Sequence, residues 1–158
     1  MRITDWDVFQ LPSRTQMLRL ETADGLVGWG EPLIEGRPRT TATAVQELLE
    51  AYLLDENPLD IQRHWETMYR CGFSRGGPIL MGAISGIDQA LWDLKGKHYG
   101  APVYELLGGR ARDRIRFYQH VGGETPEEVA DSAVREVDEG FEALKLGVPG
   151  PLERIDTP

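Results

Sequence analysis

A chain of 158 residues that is 41% hydrophobic and 27% charged is long enough for a domain with a real core, and it has no apolar run near the ~20 residues a membrane helix needs. Its net charge of -9, from 26 acidic against 17 basic residues, argues against nucleic acid or an anionic membrane as partner. The one cysteine, Cys71, excludes an internal disulfide and a cysteine-based zinc cluster.

The N-terminal MRITDWDVFQ carries acidic residues where an export signal needs a greasy segment, so a cytoplasmic protein is expected. The same stretch reads as a strand, with Ile3, Trp6 and Phe9 in imperfect alternation. LPSR then breaks the chain. A hairpin follows, in which Met17 to Glu21 and Leu26 to Glu31 flank Ala23-Asp24-Gly25. From Thr40 the apolar period becomes helical, with Val45, Leu48, Leu49, Tyr52 and Leu53 on one face and Asn57-Pro58 as the stop. A second helix starts at the N-cap Asp60 and aligns Ile61, Trp65 and Met68. The third, from about Ile79 to Tyr99, spaces Leu80, Ile84, Ile87, Leu91 and Leu94 by 4, 3, 4 and 3 residues. Its small residues Gly82, Ala83, Ser85, Gly86 and Ala90 allow close packing. PVYELLGG is a short helical turn.

After Gly109 the pattern changes. RIRFYQH (114–120) reads as a strand, and Thr125-Pro126-Glu127-Glu128 as a capping box that opens a helix with Val129, Ala133, Val134 and Val137 on one face. Gly140 ends that helix, and FEALKLG (141–147) is a second strand. Strand, helix and strand within about 35 residues make one βαβ unit with parallel strands. Two parallel strands and one helix cannot close a barrel, so the sequence reads as cut off. The expected fold class is α+β over residues 1–110, followed by the first unit of an incomplete parallel barrel over residues 111–158.

The third helix and its exit, AISGIDQALWDLKGKHYGAPVYELLG (83–108), resemble the hallmark segment of the mandelate racemase and muconate lactonizing branch of the enolase superfamily. GWGEP (28–32), PLIEGRPRT (32–40) and YRCGFSRGGPILMGAI (69–84) look in particular like its galactonate dehydratase group. The resemblance implies an enolase-like capping domain, a three-stranded meander with a helical bundle, and then the start of a TIM-type barrel. It also implies an acid-sugar dehydratase that removes the proton α to a carboxylate, uses Mg²⁺, and expels the β-hydroxyl to give a 2-keto-3-deoxy acid. The family's three metal carboxylates and its galactonate dehydratase histidines lie on later barrel strands, so no metal ligand or proton-transfer histidine is assigned here, and this chain alone is expected to be inactive. Alternatives are another acid-sugar dehydratase (gluconate or arabinonate) or a racemase of the same superfamily, or a non-enzymatic capping module that oligomerises. The expected partners are a small-molecule sugar acid and further copies of the chain.

Lys145 would end the second barrel strand, at the rim where barrel chemistry gathers. The racemase branch has Lys-x-Lys there, and this sequence has only the first lysine. It would orient a substrate carboxylate; the alternative is a strand-end lysine in solvent. His120, ending the first strand, is a weaker candidate for the same mouth. By position, two capping loops would close over it, Leu11 to Gln16 and Leu33 to Arg39, so that Arg14, Arg37 and Arg39 could grip a sugar acid; solvated loop arginines are the alternative. His64 and His98 are expected to serve surface roles. Asp88 and Asp93, five apart, do not stack into a metal pair and are expected to cap or to form salt bridges. Arg75-Gly76-Gly77 could bind an anion or simply start a helix. Of the basic residues only Lys95, Lys97 and Lys145 are lysines, a balance that fits a salt-adapted organism.

Overall fold

The computed structural model describes residues 1–12, 15–70 and 72–147. They form two compact units, Met1–Arg110 and the segment from Ala111 onward.

In the first unit, β1 (Ile3–Gln10), β2 (Gln16–Thr22) and β3 (Val27–Gly30) make an antiparallel sheet in the order β1-β2-β3. β2 alternates strictly: Gln16, Leu18, Leu20 and Thr22 are buried, while Met17, Arg19 and Glu21 stand on the other face at half burial. The irregular period of β1 has a structural cause. A register shift between Ile3 and Asp5 inserts an extra residue, so Ile3 is buried and Trp6 and Val8 still pack against the core. Phe9 falls on the opposite face and lies against Trp29, their ring centroids 6.0 Å apart. On that outer face Arg19 bonds Asp7 (2.6 Å), Asp5 (2.7 Å) and Glu21. Its hydrogen bonds to Asp7 first, then to Glu21 and Asp5, hold its guanidinium charged more firmly than usual, against the effect of burial. One cation thus neutralises two carboxylates of β1 and one of its own strand, which would otherwise repel.

Three helices, α1 (Pro38–Tyr52), α2 (Ile61–Arg70) and α3 (Pro78–Tyr99), cover the inner face, and α4 (Val103–Leu106) follows as one turn. The predicted stripe of α3 is the centre of the core, with Ile84, Ile87, Leu91 and Leu94 all at 0% exposure and Leu80 packed at its edge. Small residues let β3 and α3 touch backbone to backbone at Gly28, Gly30 and Gly86. Polar bonds fix the same contact: Asp93 Oδ2 accepts from the Trp29 N–H (2.9 Å) and from Lys97 Nζ (2.6 Å), and Gln89 Oε1 accepts from the Glu31 N–H (2.9 Å). The salt-bridge expectation for Asp93 therefore matches. That for His64 does not. At 2% exposure it is part of the core, and its Nε2 donates to the Asn57 carbonyl (2.7 Å), pinning the turn before α2 where a surface role was expected. His98 is exposed.

In the second unit, β4 (Gln119–Val121) and β5 (Leu144–Leu146) pair in parallel, joined through α5 (Pro126–Asp138). Both strands are shorter than the sequence pattern suggests. Residues 114–118 lie outside the ladder, in which β5 offers only three partners. Thr125 caps α5 by accepting the Glu128 N–H (3.2 Å), while Glu128 reaches back one residue beyond the cap, to the Glu124 N–H (2.7 Å). Of the predicted α5 face, Val129 and Ala133 are half-buried but Val134 and Val137 are exposed, and the buried positions are Ser132 and Glu136.

Candidate functional site

In the second unit, alternation places the candidate residues together. Register pairs His120 with Lys145, and Tyr118 lies two residues before His120, hence on the same side. Lys145 Nζ sits 5.6 Å from the Tyr118 ring centroid, and the Tyr118 and His120 rings are 5.5 Å apart. Val121, which points to the other face, is buried, and α5 packs on β4. The exposed face thus carries an ammonium, an imidazole and a phenol within reach of one small anion, with the ammonium steered by a ring face. Tyr118 was not singled out in the sequence, although its two-residue offset from His120 is a usable signal.

In the first unit, residues of the two predicted loops lie on either side of one cleft, of about 430 Å³, lined by Gln10, Leu11, Pro12, Glu35, Gly36 and Pro38. Arg14 lies outside the described residues. Arg37 is exposed and turns its Nη1 back to the Gly36 carbonyl (2.9 Å); Arg39 is exposed and borders a separate groove on α1. Neither arginine lines the cleft between the loops. Gly77 stands at the N-cap of α3 with φ +83°, a conformation suited to glycine, so Gly-Gly-Pro there at least serves helix initiation.

A second cleft, about 930 Å³, is lined by residues of α2 and α3 that include Trp65, Asp88, Trp92 and Lys95. Asp88 is half-buried, with no hydrogen-bond or ion-pair partner among the described residues, and burial pushes its carboxyl above the usual carboxylate range. Because the folded state favours the protonated form, Asp88 supports the fold below the ordinary carboxylate pKa of about 4 and loses that contribution as pH rises through its raised value. Asp88→Asn is therefore expected to stabilise the protein at pH 7, by less than about 1 kcal/mol given solvent screening, with the gain shrinking toward pH 4. Urea midpoints at the two pH values measure this; a destabilised variant at pH 7 would contradict it.

Magnesium does not fit the residues described. Among them no group of three or more His, Cys, Asp or Glu side chains could hold a metal ion. No helix among them is long and apolar enough to cross a membrane.

A three-stranded antiparallel sheet under a helical bundle, followed by a parallel βαβ unit, defines the architecture with which enolase-superfamily enzymes begin. Residues 12–108 match the mandelate racemase / muconate lactonizing enzyme N-terminal domain, and the chain belongs to that family. It is 53% identical over 146 residues to a D-galactonate dehydratase of Pectobacterium atrosepticum, covering 92% of this chain and 38% of the relative. To a D-galactonate dehydratase of Verminephrobacter eiseniae it is 50% identical over 157 residues, 99% of this chain and 41% of the relative. The crystal structure of an enolase from Pantoea ananatis with bound D-gluconate and Mg superposes with a TM-score of 0.84 at 37% identity, covering 92% of this chain and 36% of that one. The chain thus spans about two-fifths of the length of these relatives.

Proposed function

We propose that residues 1–110 are the capping domain, and residues 111–158 the first barrel unit, of an acid-sugar dehydratase of galactonate dehydratase type. The observation that carries this reading is 50% to 53% identity with D-galactonate dehydratases along nearly the whole chain. In the complete enzyme Mg²⁺ would take up the charge that develops on the substrate carboxylate as the α proton leaves. Its ligands, the base and the general acid belong to later barrel strands. The residues in hand bind and orient: Lys145, with His120 beside it, is assigned the carboxylate, and the cleft between the cap loops is assigned the polyol tail.

The test is Mg²⁺-dependent formation of a 2-keto-3-deoxy acid from D-galactonate. The 158-residue chain is expected to show no turnover, and the protein completed with a relative's remaining barrel strands is expected to be active. Turnover by the short chain would overturn the assignment of the chemistry to later strands. D-gluconate is the second substrate to try, since a related structure holds it. A completed protein that prefers gluconate tenfold or more would keep the reaction and change the substrate.

A further inference from the structure

The polar side chain most deeply placed near the cap loops is Gln16. It opens β2, at a position where the alternation of β2 calls for an apolar residue, and it is 2% exposed. Its Nε2 donates to the Pro38 carbonyl (2.8 Å), at the first residue of α1, and to Oε1 of its cross-strand partner Gln10 (3.0 Å). Gln10 in turn donates to the carbonyls of Leu11 and Thr15 (3.4 Å each), whose turn is closed by the Leu11 N–H to Thr15 carbonyl bond (2.9 Å). These acceptors fix both amides: turned over, Gln16 would set oxygen against oxygen at Pro38. The arrangement leaves Gln16 Oε1 buried with no hydrogen-bond partner among the described residues, a cost that an apolar side chain of the same length would avoid.

We infer that the Gln10–Gln16 amide pair is a positioning device that ties the first cap loop to the start of α1 and so sets the width of the cleft between the two cap loops. The cleft is walled on one side by Gln10, Leu11 and Pro12 and on the other by Glu35, Gly36 and Pro38, and the paired amides span both walls. That the cleft receives the polyol end of a sugar acid rests on the function proposed above; the coupling of the loops does not.

Gln16→Met keeps the volume and removes both donors and the unpaired acceptor. In the completed protein, amide exchange at Leu11 and at Arg37, one reporter in each loop, is expected to quicken together by about tenfold or more, while amides of the α3 core stay protected. Exchange unchanged at both, or quickened at Leu11 alone, would overturn the coupling. With D-galactonate the variant is expected to raise KM several-fold at nearly constant kcat, a split that simple loss of folded protein would not produce. A fall in kcat at unchanged KM would overturn the positioning role. If the unsubstituted protein turns over no sugar acid, the substrate reading fails and the exchange result still decides the coupling.

Discussion

Gly30→Ala is expected to be the most destabilising single-methyl change in the sheet, costing about 3 kcal/mol or more. A Cβ at Gly30 would drive into the Gly86 carbonyl oxygen and lie 2.9 Å from the Gly86 carbonyl carbon and 3.0 Å from the Ala90 nitrogen. All three are helix backbone, so no rotamer change relieves the clash. β3 would have to withdraw from α3, stretching the Asp93–Trp29 and Gln89–Glu31 bonds that join them. For a domain of marginal stability that is a large share of the total, and Tm should fall by roughly 10 °C or more. Gly122→Ala is the control: its Cβ meets nothing within 4 Å, and its φ is outside the left-handed range. That variant should unfold within about 0.5 kcal/mol of the parent. Thermal unfolding followed by circular dichroism compares the two, and a Gly30→Ala protein within about 1 kcal/mol of the parent would refute the close-contact argument.

On the function proposed above, Lys145→Met in the protein completed with a relative's barrel strands is expected to lower kcat/KM for D-galactonate by about ten- to a hundred-fold. That is the range for losing a charge-assisted hydrogen bond worth ~1.5–3 kcal/mol to a carboxylate. Folding should be untouched, because Lys145 is exposed and its close aromatic contact is one ring face 5.6 Å away. Lys145→Arg keeps the charge and should recover part of the loss, though its planar fork suits the site differently. Tyr118→Phe retains the ring face and should change little, whereas Tyr118→Ala frees the ammonium and should lower kcat/KM by ~2–5-fold. Steady-state kinetics on the four variants checks the set. A Lys145→Met enzyme within threefold of the parent would place the lysine in solvent.

The elements the sequence disclosed best are those whose evidence is local and periodic. The 4, 3, 4, 3 spacing of α3 predicts a buried stripe that is buried, and Gly25, with φ +82°, closes the predicted three-residue hairpin. The resemblance carried by residues 83–108 also held, since the family's N-terminal domain matches residues 12–108. Phe9 was harder to place because an inserted residue flips the face of everything after it, and a one-residue shift leaves no trace in composition. RIRFYQH has the residues of a strand along its length, yet a strand extends only as far as its partner does.

What the sequence by itself determined is the inward face of α1 and α3, where the chain reverses, and which family those patterns belong to. Only the tertiary structure decided which polar groups meet. Trp29 and Asp93 are 64 residues apart, Gln16 and Pro38 are 22 apart, and His64 closes on a carbonyl seven residues before it. The reason is physical. Periodicity is set by the geometry of one element and can be read along it, whereas a hydrogen bond between elements depends on register and packing that no single segment encodes.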